Sequence, residues 1–392
     1  MNFFFMENKL LSIVVPTKDR YFYLKKLVAL INSFQSVDVE LVIEDNTEDN
    51  SDILSFLEQN TFPYLSIIYH HTTNQIPISL NSDNAINHSS GEYVSFIGDD
   101  DGATSSILDC VYWMKTKNID VVLPATVFYS WPDAKGHQKK GLDLSSKIRH
   151  PKFSGLILQK SSKMVLDDLM KRGCINRGEL PLLYHGIVKR TTLDKIYSTC
   201  GTYFPGPSPD IANGVALSLV TDSFVYVDMP ITISGASKFH GGGIKKMKNR
   251  AADIDSIPFL PPGAKKNWEK RIPLVWTGET VWCESAVKAM RKMGRDDLAD
   301  SVNYERLYAQ FAAFHYPLRG LAYELSSNKL KLFLNSNLIV LKRYLNALIR
   351  MFKLKFGLND NVIIKAGLYD ISEAVKYLES YHFNFDSCAT SD

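Results

Sequence analysis

The stretch GEYVSFIGDDDGATSS, residues 91–106, runs from an apolar, β-rich segment directly into three consecutive aspartates. Neighbouring carboxylates repel by roughly 1 kcal/mol per pair in water and by more in a cleft, so a fold that converges them gains from a cation or a proton. Asp99 and Asp101 are two apart and point the same way in an extended segment, which lets them share one cation or one metal-bound diphosphate. Asp-Asp-Asp-Gly is also good turn chemistry. Spacing alone leaves both readings open.

Upstream, residues 10–123 alternate short β-rich runs with amphipathic stretches, the pattern of βαβ units around a mainly parallel sheet. Strands are expected at 10–16, stopped by Pro16, and at 39–45, 64–71 and 92–98; helices at 23–34, at 51–59 with Ser51 as N-cap, and at 78–89. Acidic residues follow two of these strands: Glu44 and Asp45 after the second, Asp99 to Asp101 after the fourth. In open α/β sheets ligands bind outside the carboxyl ends of the strands, so both clusters stand where a ligand belongs.

Downstream, a helix at 104–117 and one strand at 120–129 are expected, then a Lys-, Gly- and Ser-rich connector at 130–153. A helix at 161–172, the segment 182–197, the loop 201–220 and one strand at 223–234 follow, and from about 265 the chain reads as mostly helical. Residues 328–359 carry Lys329, Lys331, Lys342, Arg343, Arg350, Lys353 and Lys355 with no acid among them. Such a basic amphipathic stretch either lies on an anionic bilayer or packs with its basic face in water.

With 392 residues, 45% of them hydrophobic, the chain can bury a sizeable core, and a net charge of +3 gives no argument for nucleic acid. Five scattered cysteines without a C-x-x-C disfavour a disulfide framework and a zinc site, and fit a reducing cytosol. No run reaches the roughly 18 apolar residues of a membrane span. The chain is therefore expected in the cytoplasm, either free or held on the inner face of the cell membrane.

Rival phosphate-handling folds are missing their signatures. There is no G-x-x-x-x-G-K-[ST], and no G-x-G-x-x-G follows the first strand. A phosphatase of the haloacid dehalogenase type wants D-x-D-x-[TV] after its first strand, whereas these aspartates follow the fourth and Ala103 holds the last place.

The segments LSIVVPTKDR (11–20), VELVIEDNTEDNSD (39–52) and NSDNAINHSSGEYVSFIGDDDG (81–102) resemble, in order and spacing, the successive signatures of glycosyltransferase family 2. The resemblance implies an α/β GT-A fold, with a mostly parallel sheet flanked by helices and a mainly helical C-terminal region. It implies a nucleotide-binding half at 1–130, an acceptor-binding half at 131–264 and a helical region at 265–392. Pro16, Thr17 and Asp19 would line the nucleotide pocket, and Glu44 or Asp45 would hydrogen-bond the base. Asp99 would face the sugar or ribose with Asp100 beside it, and Asp101, with Asp99, would ligate Mn²⁺ or Mg²⁺. Where the family commonly has Asp-Asp-Gly-Ser this chain has EDNT, which leaves the base-reading residue open between Glu44 and Asp45.

A second match, GPSPDIANGVALSL (206–219), resembles a pattern of one branch of the family, in which an Asp before a helix is the general base. Asp210 takes that place, and it could equally N-cap the helix. His240 is a candidate for completing the metal site, and His185 for facing the acceptor. Glu279, Glu284, Trp276 and Trp282 are candidates for its edge. The implied reaction is inverting transfer of a sugar from a nucleotide-sugar, a UDP-sugar first, to a hydroxyl of a growing or lipid-linked glycan. A sugar-nucleotide phosphotransfer or phosphatase enzyme and a non-catalytic nucleotide- or glycan-binding module stand as alternatives.

Overall fold

The computed structural model describes residues 9–134, 138–139, 142–238, 251–257, 260–261, 263–355, 362–383, 385 and 390–391. The first βαβ run is β1 (Leu11–Thr17), α1 (Tyr21–Asn32), β2 (Val39–Asp45), α2 (Ser51–Gln59), β3 (Ser66–His71), α3 (Ile78–Asn87) and β4 (Tyr93–Phe96). There follow β5 (Gly102–Ala103), α4 (Ser106–Lys117), β6 (Val121–Pro124), β7 (Val127–Ser130), β8 (Gln138–Lys139), β9 (Leu142–Asp143), β10 (Lys147–Pro151) and β11 (Ile157–Ser161). Next come α5 (Ser162–Lys171), β12 (Ile187–Lys189), α6 (Arg190–Cys200), α7 (Pro209–Val220), β13 (Ser223–Val227) and β14 (Thr232–Ala236). The last part holds α8 (Gly278–Lys292), α9 (Asp296–Ser301), α10 (Tyr304–Phe314), α11 (Arg319–Leu325), α12 (Lys329–Lys355), β15 (Val362–Ala366), α13 (Ile371–Leu378) and β16 (Thr390–Ser391).

The large sheet has the order β16-β11-β13-β6-β12-β4-β1-β2-β3. Its β4-β1-β2-β3 half is parallel throughout. Strands buried on both faces read as near-continuous apolar runs, and β1 and β2 are buried along nearly their whole length. The chain leaves β1 in one direction to β2 and β3, then returns to place β4 on the other side of β1. The order therefore reverses between β1 and β4, and the crevice at their carboxyl ends is the ligand position of an open α/β sheet. The expected α/β architecture with a helical C-terminal region is the one observed.

Two expectations about strands are corrected. Residues 120–129 form two strands, β6 and β7, and residues 223–234 also divide, into β13 and β14. In each case the first strand belongs to the large sheet and the second to a smaller one, of order β15-β10-β7-β14-β5. The breaks fall at Ala125 and Thr126, directly after Pro124, and at Asp228 to Ile231, which includes Pro230; a proline's missing N–H favours the end of a ladder. β6 pairs with β13 and β7 with β14, both in parallel, so the two bends lie side by side. The connector at 130–153 also carries more order than expected, since β10 pairs with β7 and with β15. Asn50 rather than Ser51 holds the N-cap position of α2.

Apolar side chains of α1 and α4 cover one face of the large sheet, and those of α3, α6 and α7 the other. The C-terminal helices have a core of their own, in which α8 and α10 pack with α5 and α7. After α12 the chain returns: Ile371, Ala374, Val375 and Leu378 of α13 are buried in the first core.

Candidate active site

The aspartates occupy the turn that follows β4, and all three are buried. Asp101 is an anchor. Its Oδ2 accepts the Gly98 N–H at 2.6 Å and the Tyr184 hydroxyl at 2.8 Å, and its Oδ1 accepts the Gly235 N–H at 2.6 Å. The last contact needs glycine, because a Cβ on Gly235 would lie 1.7 Å from the Asp100 carbonyl oxygen. Asp100 accepts the Ser237 hydroxyl at 2.7 Å, and its carbonyl accepts the Trp131 indole N–H at 2.8 Å.

Asp99 spans the reversal point, its Oδ2 accepting the Thr17 hydroxyl from the end of β1 at 2.6 Å. Its other oxygen lies 2.9 Å from the Arg20 guanidinium, which also stands 3.4 Å from Asp100. That Oδ1 is buried and makes no hydrogen bond among the described residues. Burial pushes the Asp99 pKa up, against the pull of Arg20 and with the help of Asp100. The charge gathered here is thus met first by one arginine, and Asp99 keeps the oxygen on which a further cation would be most favourable.

The same pair of carboxylates fits a divalent metal. A hard cation takes oxygen ligands and fills its shell with phosphate oxygens and water, so two carboxylates suffice. Asp99 Oδ1, which Arg20 meets at 2.9 Å without a hydrogen bond, keeps its lone pairs, and Asp101 Oδ1, with one donor, retains one. No group of three or more His, Cys, Asp or Glu with metal-binding arrangement occurs among the described residues. His240 lies outside them.

Asp210 is on α7, at its second position. Ser208 holds the N-cap place and Pro209 the first turn, so the capping alternative for Asp210 is corrected. Its carboxylate is half-buried, and burial raises its pKa to about 6, with Arg177 opposing and the Asp101 charge adding. A carboxyl with that value is ionised at neutral pH yet basic enough to take a proton. Tyr184, half-buried beside Asp101, also feels the charge of Asp210, and its pKa is raised well above the ordinary phenol value. His185 places its Nε2 3.4 Å from Asp101 Oδ2, on the floor of the same cluster.

The second acidic pair is divided by the strand's alternation. Asp45 accepts the Tyr21 hydroxyl at 2.6 Å, the Tyr69 hydroxyl at 2.8 Å and the Thr47 N–H at 2.9 Å. Glu44 instead accepts from His88 Nδ1 at 2.8 Å. Asp19 is exposed, with a left-handed φ of 58° and its N–H held by Thr47 at 2.8 Å. It borders a cleft of about 320 Å³ that Arg20, Phe22, Trp131, Lys238 and Tyr369 also line. Pro16 is half-buried at the end of β1.

The structure therefore brings Thr17, Asp99, Asp100 and Asp101 into one hydrogen-bonded and charged cluster, with Asp210 in electrostatic reach. It keeps Glu44 on the opposite side of β2 from Asp45. Arg20, Tyr184, Arg177 and Ser237 were not among the expected site residues. Only Arg20 had a signal, standing in the PTKDR segment itself. Of the acceptor-edge candidates, Glu284 is buried, pairs with Lys288 at 2.8 Å and accepts the Glu269 N–H, and Glu279 pairs with His315 at 3.0 Å. Trp276 is buried in the helical core and Trp282 packs against it.

Residues 12–170 match the family described as Glycosyl transferase family 2. A Campylobacter jejuni protein named GalNAc(5)-diNAcBac-PP-undecaprenol beta-1,3-glucosyltransferase is 25% identical over 166 residues, 40% of this chain and 53% of that protein. The chain thus spans about half the length of the curated relative it matches. S. aureus TarS 1–349 in complex with UDP-GlcNAc is 15% identical with a TM-score of 0.48, over 86% of this chain and 92% of that one. S. aureus TarS is 14% identical with a TM-score of 0.44, over 81% and 54%.

Proposed function

We propose that this chain, whose residues 12–170 match glycosyl transferase family 2, transfers a sugar from a nucleotide-sugar to a hydroxyl of a glycan. The observation that carries the reading is the pairing of two carboxylate environments in one crevice. Asp99 is buried and faces the Arg20 cation with an oxygen that makes no hydrogen bond among the described residues; Asp210 is half-buried with a pKa raised to about 6. Groups pushed apart in this way divide the work of binding and proton transfer.

In the reaction the acceptor oxygen attacks the anomeric carbon from the face opposite the leaving group, so the configuration inverts. Asp210 takes the acceptor's O–H proton as the new C–O bond forms. The bond from the anomeric carbon to the phosphate oxygen breaks, and the diphosphate leaves with the electron pair. Arg20 stands beside the aspartates as a fixed positive charge for it. Asp99 and Asp101 would hold Mn²⁺ or Mg²⁺, which supplies further positive charge to the diphosphate. Thr17, Asp19 and Asp45 are assigned to the nucleotide, with a UDP-sugar as the first donor to test.

The name of the Campylobacter relative supports a lipid-linked glycan as the acceptor class. The cysteines Cys110, Cys174, Cys200 and Cys283 are free thiols, which supports a cytoplasmic setting. The test is transfer and donor binding measured side by side on Asp210→Asn. Turnover is expected to fall on the order of 10²-fold or more while donor affinity stays unchanged. Unchanged turnover removes Asp210 as the base, and a product of free phosphate instead of a glycoside favours the phosphatase alternative.

A further inference from the structure

Helix α12 is 27 residues long, about 40 Å at the usual rise, and its two sides differ in kind. Leu332 and Ser336 are buried and Ile339 packs against the helical core, which fixes the side turned to the body. The opposite side is apolar and in water. From Leu330 to Phe352 its large apolar residues are between 48% and 70% exposed. At 100° per residue they span an arc of about 160°, from Phe333 and Met351 on one edge to Leu338 and Ile349 on the other. A coiled-coil seam is narrower than this: its centre line here, through Leu334, Leu341 and Leu348, leaves Phe333, Leu338 and Ile349 outside it.

Charge decides between the occupants of such a face. The helix has seven cations and no acid, so a second copy of it would meet like charge. Lys331, Lys342 and Lys353 recur every eleven residues, three turns apart, and so lie in one row along the edge of the apolar arc. No helix among the described residues is long and apolar enough to cross a membrane.

We propose that α12 lies on an anionic lipid bilayer, its apolar arc in the boundary between headgroups and acyl chains, with the Lys331–Lys342–Lys353 row at the height of the lipid phosphates. An apolar arc bordered by lysines is the form of an interfacial helix, and each cation adds to the attraction of anionic lipid. The surface is argued independently of the proposed reaction; it deepens that reading by bringing a lipid-linked acceptor to the enzyme.

The experiment is co-sedimentation of the full chain with vesicles of phosphatidylcholine alone, or of equal parts phosphatidylcholine and phosphatidylglycerol. Wild type is expected to sediment with the mixed vesicles and to be released by salt. Leu341→Glu with Leu348→Glu, both at exposed positions, is expected to abolish binding with an unchanged melting temperature. Lys331→Gln with Lys342→Gln is expected to weaken it about 30-fold. Absence of binding to the mixed vesicles overturns the proposal, as does equal binding to phosphatidylcholine alone. So does a lipid-free dimer, seen by light scattering, that the Leu341→Glu and Leu348→Glu pair dissolves. Donor binding is followed in the same samples by thermal shift: its loss without loss of vesicle binding counts against the reaction, and the converse against the surface.

Discussion

Asp210 and Asp99 are both carboxylates with raised pKa values, and they make opposite demands on pH. A general base works only when ionised, so turnover is expected to fall about tenfold per unit as pH drops below 6 and to level off above it. That limb is expected to vanish in Asp210→Asn, whose residual rate is then flat across the same range. For Asp99 the consequence is one of stability. Because its folded-state pKa is raised, its contribution is fully present below the unfolded value near 4 and is lost as pH rises through the folded value. Asp99→Asn, which mimics the protonated carboxyl, is therefore expected to melt at about the same temperature as wild type below pH 8 and at a higher one above it, while losing transfer activity; a lower melting temperature above pH 8 would count against a strained binding carboxylate. The aspartates themselves were legible in the sequence as consecutive charges after a strand. Their partners were not, because Arg20, Tyr184 and Ser237 stand about 80 to 140 residues away and only the fold makes them neighbours.

At the scale of elements, the site depends on where β14 passes the aspartate turn. Gly235 lies so close to the Asp100 carbonyl that no side chain fits between them. Gly235→Ala is expected to cost about 3 kcal/mol in a urea melt and to weaken donor binding, since the same movement pulls its N–H from Asp101. Sequence periodicity recovered the parallel half well, because strands buried on both faces announce themselves as apolar runs. It failed at 120–129 and 223–234 for the same physical reason. An apolar run shows that a segment is buried, but its passage from one sheet to another is set by partner strands, and only Pro124 and Pro230 marked the bends.

For the whole molecule, the return of the chain after α12 joins the last elements to the first. Ile371 of α13 is fully buried and would touch a Cβ placed on Gly102, next to the aspartate turn. Ile371→Ala is expected to lower stability by about 3 kcal/mol, and a single transition in urea, followed by both tryptophan fluorescence and circular dichroism, would show that α13 melts with the first core. Nothing in the local pattern of 362–385 distinguishes this docking from a free C-terminal tail, since its partners in β10 and α1 lie more than 200 residues earlier.

That return also fixes what α12 can do mechanically. The helix starts against α10 in the helical core, and beyond it β15 pairs with β10 in the small sheet, whose other strands reach the aspartate turn. A rod packed on the body along its first turns is a handle and not a leash. Whatever grips it sets the tilt of the catalytic crevice as well as its position, so a surface that binds α12 would present every copy of the crevice at the same height and facing the same way.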